Sequence, residues 1–212
     1  MRRTLSTTVL FGIVMFITAC QSATETEPVA QLSIWSSTSP EADSPRTAAE
    51  VAVRDLIGVT PVLGDYMAGD SRSGEMIVFS PAESVSVERS LLLLRQLGSD
   101  DRWSVIGAIS AAITIDEPAS GSTVPSGLVT VAGLARGFEG LVVVSAHRVG
   151  TDEMIDQQIT SGGSLDRSEP FRVELDLRNT QEGDVIAIVV RGGVGLEDDP
   201  GEFSALPIRI GS

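Results

Sequence analysis

The chain has 212 residues, of which 42% are hydrophobic but only 4% aromatic, and it contains a single cysteine. Its formal charge is −14, and every basic side chain is arginine, with no lysine. That balance repels nucleic acid and anionic lipid headgroups, and a lone cysteine excludes an internal disulfide, so the fold must rest on core packing.

The chain opens with a positive stretch, Met1-Arg2-Arg3, followed by an apolar run from Val9 to Ile17 and the small residues Thr18 and Ala19 before Cys20. This is the layout of a secretory signal peptide. The apolar run is about half of the roughly 20 residues a helix needs to cross a bilayer, which disfavours a simple transmembrane anchor. The sequence Ile17-Thr18-Ala19-Cys20 resembles the lipobox of bacterial lipoproteins. The resemblance implies that residues 1–19 are removed and that the Cys20 thiol carries diacylglycerol. Each buried methylene contributes about 0.8 kcal/mol, so two or more acyl chains give stable anchoring. The expected location is the cell membrane, facing the extracytoplasmic side. The alternative is an ordinary cleaved signal peptide with a chance cysteine.

Residues 20–45 are rich in Ser, Thr, Glu, Pro and Ala and read as a flexible tether. Ile34 and Trp35 are its notable apolar pair; docking on the folded part and solvent exposure both remain open. A helix follows. Thr47-Ala-Ala-Glu50 reads as a capping box, with Pro45 upstream and Gly58 as the stop. Ala48, Val51, Ala52, Leu56 and Ile57 fall on one helical face. The stretch from Gly64 to Gly74 is loop-like, and Glu75 to Phe79 is strand-like. The segment Leu91 to Ala108 predicts a β-hairpin turning at Gly98-Ser-Asp-Asp101 and packed under the helix. Residues 46–111 thus read as a small α+β domain.

From Ile113 onward the pattern is all-β. Strands are expected at Ile113–Ile115, Leu128–Ala135, Leu141–Arg148, Met154–Thr160, Phe171–Leu177, Val185–Arg191 and Leu206–Ile210, divided by Gly-, Pro- and Asp-rich turns. Phe171, Val173, Leu175 and Leu177 share one face, and Leu206, Ile208 and Ile210 another. About seven short strands in roughly 100 residues point to an immunoglobulin-like β-sandwich over residues 112–212. The fold class is therefore mainly β, with a C-terminal sandwich preceded by the α+β domain.

Ile115-x-x-Pro118-x-x-Gly121-x-x-Val124, then Val131-x-Gly133-x-Ala135-x-x-Phe138-Glu139-Gly140, then Phe171 and the closing Pro207-Ile208-x-Ile210, carry a resemblance. This stretch resembles the immunoglobulin-like domain associated with GerMN domains in bacterial spore-germination and envelope proteins. The resemblance implies a sandwich on an exported or lipid-anchored protein and no catalytic residues. No GerMN domain precedes it; the α+β unit stands in that place.

Candidate chemistry is sparse. His147 is the only histidine and lies in an apolar strand, where a sheet-face role is commoner than a Ser-His-Asp triad. Gly69-Asp-Ser71-Arg72 is similar to the nucleophile block of GDS-type lipases, but Arg72 takes an aliphatic place, and the residues suit a turn. The acidic loops Glu197–Glu202 and Asp152–Asp156 offer oxygen ligands for calcium without EF-hand spacing. Gly192-Gly-Val-Gly195 runs into acidic residues that would repel phosphate. No catalytic, cofactor or metal residue is nominated; the one modification residue is Cys20. The expected function is a lipid-anchored envelope protein with a non-catalytic binding or structural role, linked to spore or cell-surface organisation. Its expected partners are the membrane, through Cys20, and an envelope protein or polymer. The alternative is a solute-binding or sensing lipoprotein with a ligand site between its two domains.

Overall fold

A computed structural model of the chain describes residues 31–36, 43–81, 87–164, 166–193 and 195–212. The expected signal peptide, Cys20 and most of the expected tether lie outside the described residues. The molecule is mainly β, with one α-helix among the described residues.

Helix α1 spans Pro45–Ile57. Its cap is Ser44, not Thr47: the Ser44 Oγ accepts a hydrogen bond from the Thr47 backbone N–H at 3.1 Å. Pro45 then occupies the first helical position, where its fixed φ is already helical and its missing N–H costs nothing. The helix thus begins before the expected capping box. It ends where the sequence indicated, at Gly58, whose φ of 85° is left-handed and whose N–H bonds the Arg54 carbonyl. The buried face is Ala48, Ala49, Ala52, Val53 and Ile57. Val51 and Leu56, expected on that face, are only half-buried. The small alanines let the helix sit close on the sheet beneath, which selects their stripe over the bulkier one.

Ile34 and Trp35 dock. Strand β1 (Trp35–Ser36) pairs antiparallel with β6 (Arg102–Ile109), and both side chains are buried. The Trp35 Nε1–H donates to Asp55 Oδ2 on α1 at 2.9 Å. Between α1 and β6 lie β2 (Val62–Leu63), β3 (Met67–Ala68), β4 (Ser73–Phe79) and β5 (Glu88–Leu97). The expected hairpin is β5–β6, in the register Leu94↔Val105 and Leu91↔Ile109. It turns at Gly98 and Asp101, both with positive φ.

The remaining strands are β7 (Thr114–Glu117), β8 (Thr123–Val124), β9 (Leu128–Ala135), β10 (Leu141–Arg148), β11 (Met154–Ser161), β12 (Glu169–Asp176), β13 (Val185–Gly192) and β14 (Phe203–Ile210). Seven of them match the expected strands to within three residues at every end, and β8 was not expected. They form a sandwich: β12-β9-β7 in one sheet, facing β11-β10-β13-β14 in the other. Gly133 on β9 is required by this packing, because a Cβ there would lie 2.0 Å from the Thr114 carbonyl oxygen of β7. Gly140 turns with φ of +74°. The glycines of the Gly133–Gly140 motif therefore serve architecture.

The larger sheet does not stop at the sandwich. β14 meets β6, and the order continues β11-β10-β13-β14-β6-β5-β4-β2. Residues 31–212 accordingly form one compact unit. Two apolar cores lie on opposite faces of this sheet. On one face, Ile186, Ile188, Val190, Leu206 and Ile208 meet the small sheet. On the other, Ala187, Val189, Phe203 and Ala205 meet α1, Trp35, Leu92 and Val105. Strands β13 and β14 are thus covered on both sides, which is why Val185–Val190 reads as an unbroken apolar run rather than an alternation.

Candidate functional site

Along β10 the side chains alternate between the two faces of the sheet. Val142, Val144 and Ala146 point into the sandwich core, so Ser145 and His147 share the opposite face, beside the end of α1. The Ser145 Oγ and His147 Nε2 are 2.9 Å apart, a hydrogen bond. This is the Ser–His contact that the sequence left open. Burial lowers the basicity of His147, so the imidazole is held in its neutral form. Among the described residues no carboxylate is hydrogen-bonded to it. A triad histidine needs a third group to fix its tautomer and stabilise the imidazolium. The pair is a polar contact between two side chains on one face of β10.

Ser145 and His147 open onto a pocket of about 270 Å³. Asp55 and the last turn of α1 form one wall, Asp152 and Gln157 another, and Arg191 of β13 reaches in from beneath. The Arg191 guanidinium donates to the carbonyls of Ile57 at 3.2 Å and Asp199 at 2.8 Å. Its Nε is buried without a hydrogen-bond partner. Burial lowers its pKa, and the nearby Asp199 charge acts the other way. Sequence reasoning missed Ser145 and Arg191; the period-2 spacing of Ser145 and His147 was the available signal.

The other candidates are accounted for structurally. In the Gly69–Arg72 turn, Asp70 Oδ1 accepts from the Arg72 N–H at 2.7 Å, and this bond lowers the carboxyl pKa. Ser71 is exposed at the tip of the turn. In the acidic loop before β14, Glu197 and Asp198 are exposed but Asp199 is not. Asp199 is fully buried and held by Arg89, by the Ser80 hydroxyl and by the Gly201 N–H. Glu202 accepts two bonds from Arg136, at 3.0 and 2.8 Å. In the second loop Asp156 accepts the Asp176 N–H of β12 at 2.8 Å, tying the two sheets together. Among the described residues no group of three or more His, Cys, Asp or Glu side chains is placed to hold a metal ion.

A second candidate surface lies across the molecule. The smaller sheet covers only part of the larger one. β12 lies against β10 and β11, β9 against β13, and β7 against β14. Beyond β7 no element among the described residues packs over the face of β6, β5 and β4. Ile77, Leu91 and Ile109 stand in one row across it, with Leu93 and Ile106 beside them. Ile109 is 53% exposed and Met67, at the rim, 41%. Contiguous depressions of about 310, 330 and 480 Å³ run over this shelf. The run Leu91-Leu-Leu-Leu94 belongs to the expected hairpin. Within it only Leu92 and Leu94 face the core, and their neighbours face outward.

Residues 112–191, which span β7 to β13, match the family described as an immunoglobulin-like domain of bacterial spore germination. No curated protein and no solved structure matches the chain.

Proposed function

We propose that the chain is a lipid-anchored envelope protein that binds or organises a partner without catalysis, in a role connected with the spore or cell surface. The observation that carries this reading is the match of residues 112–191 to an immunoglobulin-like domain of bacterial spore germination. The lipobox-like Ile17–Cys20 supplies the anchor: diacylglycerol on Cys20, with the folded part displayed on the extracytoplasmic side. The partners are the membrane, reached through Cys20, and an envelope protein or polymer, and the acidic surface keeps nucleic acid away. Feeding cells a radioactive fatty acid tests the anchor. The wild type takes up label and Cys20→Ser does not; an unlabelled wild type, or a labelled Cys20→Ser, refutes it. A hydrolytic activity lost on His147→Ala would refute the non-catalytic role.

The second reading is a solute-binding or sensing lipoprotein. It is favoured by the pocket between the α1 terminus and β10–β13, where Asp55, Ser145, His147, Asp152 and Arg191 converge. The mixture of both charges with a neutral imidazole suits a small zwitterionic solute. Isothermal titration with a panel of amino acids tests it, and heat that survives Arg191→Leu places binding elsewhere.

A further inference from the structure

The sandwich is unfinished on one side. At the β12 end its sheets meet, since β12 lies against β11 and Asp156 bonds the Asp176 N–H. At the β7 end they part. β7 pairs only with β9, so its outer edge carries unpaired backbone groups among the described residues. The next strand position beyond β7, about 4.8 Å further on, lies over β6 and β5. The floor there is apolar: Ile106 and Ile109 on β6, Leu91 and Leu93 on β5, Ile77 on β4. Among the described residues, this unpaired edge beside an uncovered apolar floor is a vacant strand position.

Charge decides what fills it. Glu75 and Glu88 line the shelf and have no cationic partner among the described residues. Asp116 and Glu117 lie on β7 itself, and Glu117 lies 3.5 Å from Arg172 of β12. The two arginines that line the shelf already face carboxylates: Arg89 holds Asp199, and Arg95 lies 4.0 Å from Asp70. A second copy of this chain would bring another net charge of −14 and no lysine to an acidic rim, so electrostatics opposes self-association.

We propose that the outer edge of β7 and the apolar shelf of β4–β6 together bind an extended, basic segment of another protein by β-strand addition. Backbone hydrogen bonds to β7 hold the segment. Its inward side chains, every second residue, are aliphatic and cover Leu91, Leu93, Ile106 and Ile109. Its outward side chains are arginine or lysine and face Glu75, Glu88 and β7. The inference rests on the binding role proposed above and identifies the surface and the class of partner.

The test uses the full chain and labelled synthetic peptides of roughly nine residues, long enough for one strand. One alternates valine with arginine, one valine with glutamate, and one serine with arginine at the same charge as the first. Fluorescence anisotropy should show the valine–arginine peptide binding at least about tenfold more tightly than either control, and Ile109→Arg should weaken it about tenfold. Ile109 is more than half exposed, so this variant keeps its fold. Ile159→Arg, on the exposed outer strand β11, should leave binding unchanged. Amide hydrogen exchange should slow at residues 114–117. Equal binding of the serine–arginine peptide reduces the effect to bulk charge and overturns the proposal. So does protection at residues 154–161 instead, or unaltered binding by Ile109→Arg. A concentration-dependent dimer in sedimentation that Ile109→Arg dissolves would assign the shelf to a second copy and overturn it too. Fatty-acid labelling without peptide binding removes the shelf and leaves the anchor; peptide binding without labelling does the reverse.

Discussion

Arg89 and Asp199 stand 110 residues apart in sequence and form a two-pronged ion pair, Nε to Oδ1 at 3.0 Å and Nη2 to Oδ2 at 2.7 Å. The carboxylate is fully buried, and the arginine side chain is 12% exposed. The pair fastens the first residues of β5 to the loop before β14, so it joins the two parts of the large sheet. Removing one member leaves a buried charge uncompensated, which costs about 3–5 kcal/mol. Arg89→Leu should lower the unfolding free energy from urea titration by that amount, and Arg89→Leu with Asp199→Leu should recover much of it. The pH dependence follows. Burial pushes the Asp199 carboxyl up, but hydrogen bonds from Arg89, Ser80 and Gly201, with the Arg89 charge, outweigh it and hold the pKa below the usual 3.8. Its stabilisation is therefore complete above the unfolded value and is lost as pH falls through the lower folded value. The gap between wild type and Asp199→Asn should be full at pH 7 and shrink below pH 3.8. A gap unchanged into that acid range would contradict the assignment.

That pair marks where sequence reading stopped. Strands with one buried face were legible because their alternation is local: Phe171, Val173, Leu175 and Leu177 face the sandwich as their spacing required. Turn chemistry located most strand ends. The long-range partners were not legible. Nothing in the acidic sequence Glu197-Asp198-Asp199 shows that Arg89 will meet Asp199. Likewise, the apolar run of β13 showed burial but not that α1 would cover its second face. At the polar pocket, the strand period was an unused signal for Ser145 beside His147, whereas Arg191 and Asp55 arrive from other elements. Cys20, the residue the sequence marked most clearly, lies outside the described residues.

Because one sheet runs through both cores, unfolding should be a single cooperative event. A chain consisting of residues 112–212 alone would expose Ala187, Val189, Phe203 and Ala205, which are all at most 5% exposed in the full chain. Losing the burial of Val189 and Phe203 costs about 1.5–3 kcal/mol each, a large share of a typical domain's stability of about 5–15 kcal/mol. Calorimetry of residues 31–212 should give one transition. The fragment 112–212 should melt well below it or bind a hydrophobic dye in its resting state. Two separated transitions in the longer chain would show that the cores are independent.

His147 predicts an acid sensitivity of its own. Burial holds its pKa below the ordinary 6.5. In the unfolded chain the imidazole takes up a proton near pH 6.5, whereas in the folded chain it resists until lower pH. The unfolded state thus binds more protons in that window, and stability falls as pH drops below about 6.5 until the folded pKa is passed. Above that pH the group has no effect. His147→Asn, which retains a polar partner for Ser145, should flatten the decline between pH 7 and 5 in urea titrations. A decline of the same slope in the variant would place the sensitive group elsewhere.

Trp35 tests whether the segment before α1 is part of the fold. Its ring is 7% exposed, its backbone pairs with Val105, and its Nε1–H bonds Asp55 on the helix. The neighbouring Ile34 is 2% exposed, and its N–H bonds the Val105 carbonyl at 2.9 Å. One two-residue strand therefore fastens α1 to β6. Trp35→Ala should destabilise by about 3–5 kcal/mol, the usual range for emptying a buried aromatic site. Trp35→Phe keeps most of the packing and loses the hydrogen bond, so it should cost less, with roughly 1 kcal/mol from the bond itself. Trp103 remains as the only other tryptophan and reports unfolding in both variants. Near-zero cost for Trp35→Ala would mean that the strand is an ornament on the surface and that α1 holds its place by its alanine face alone.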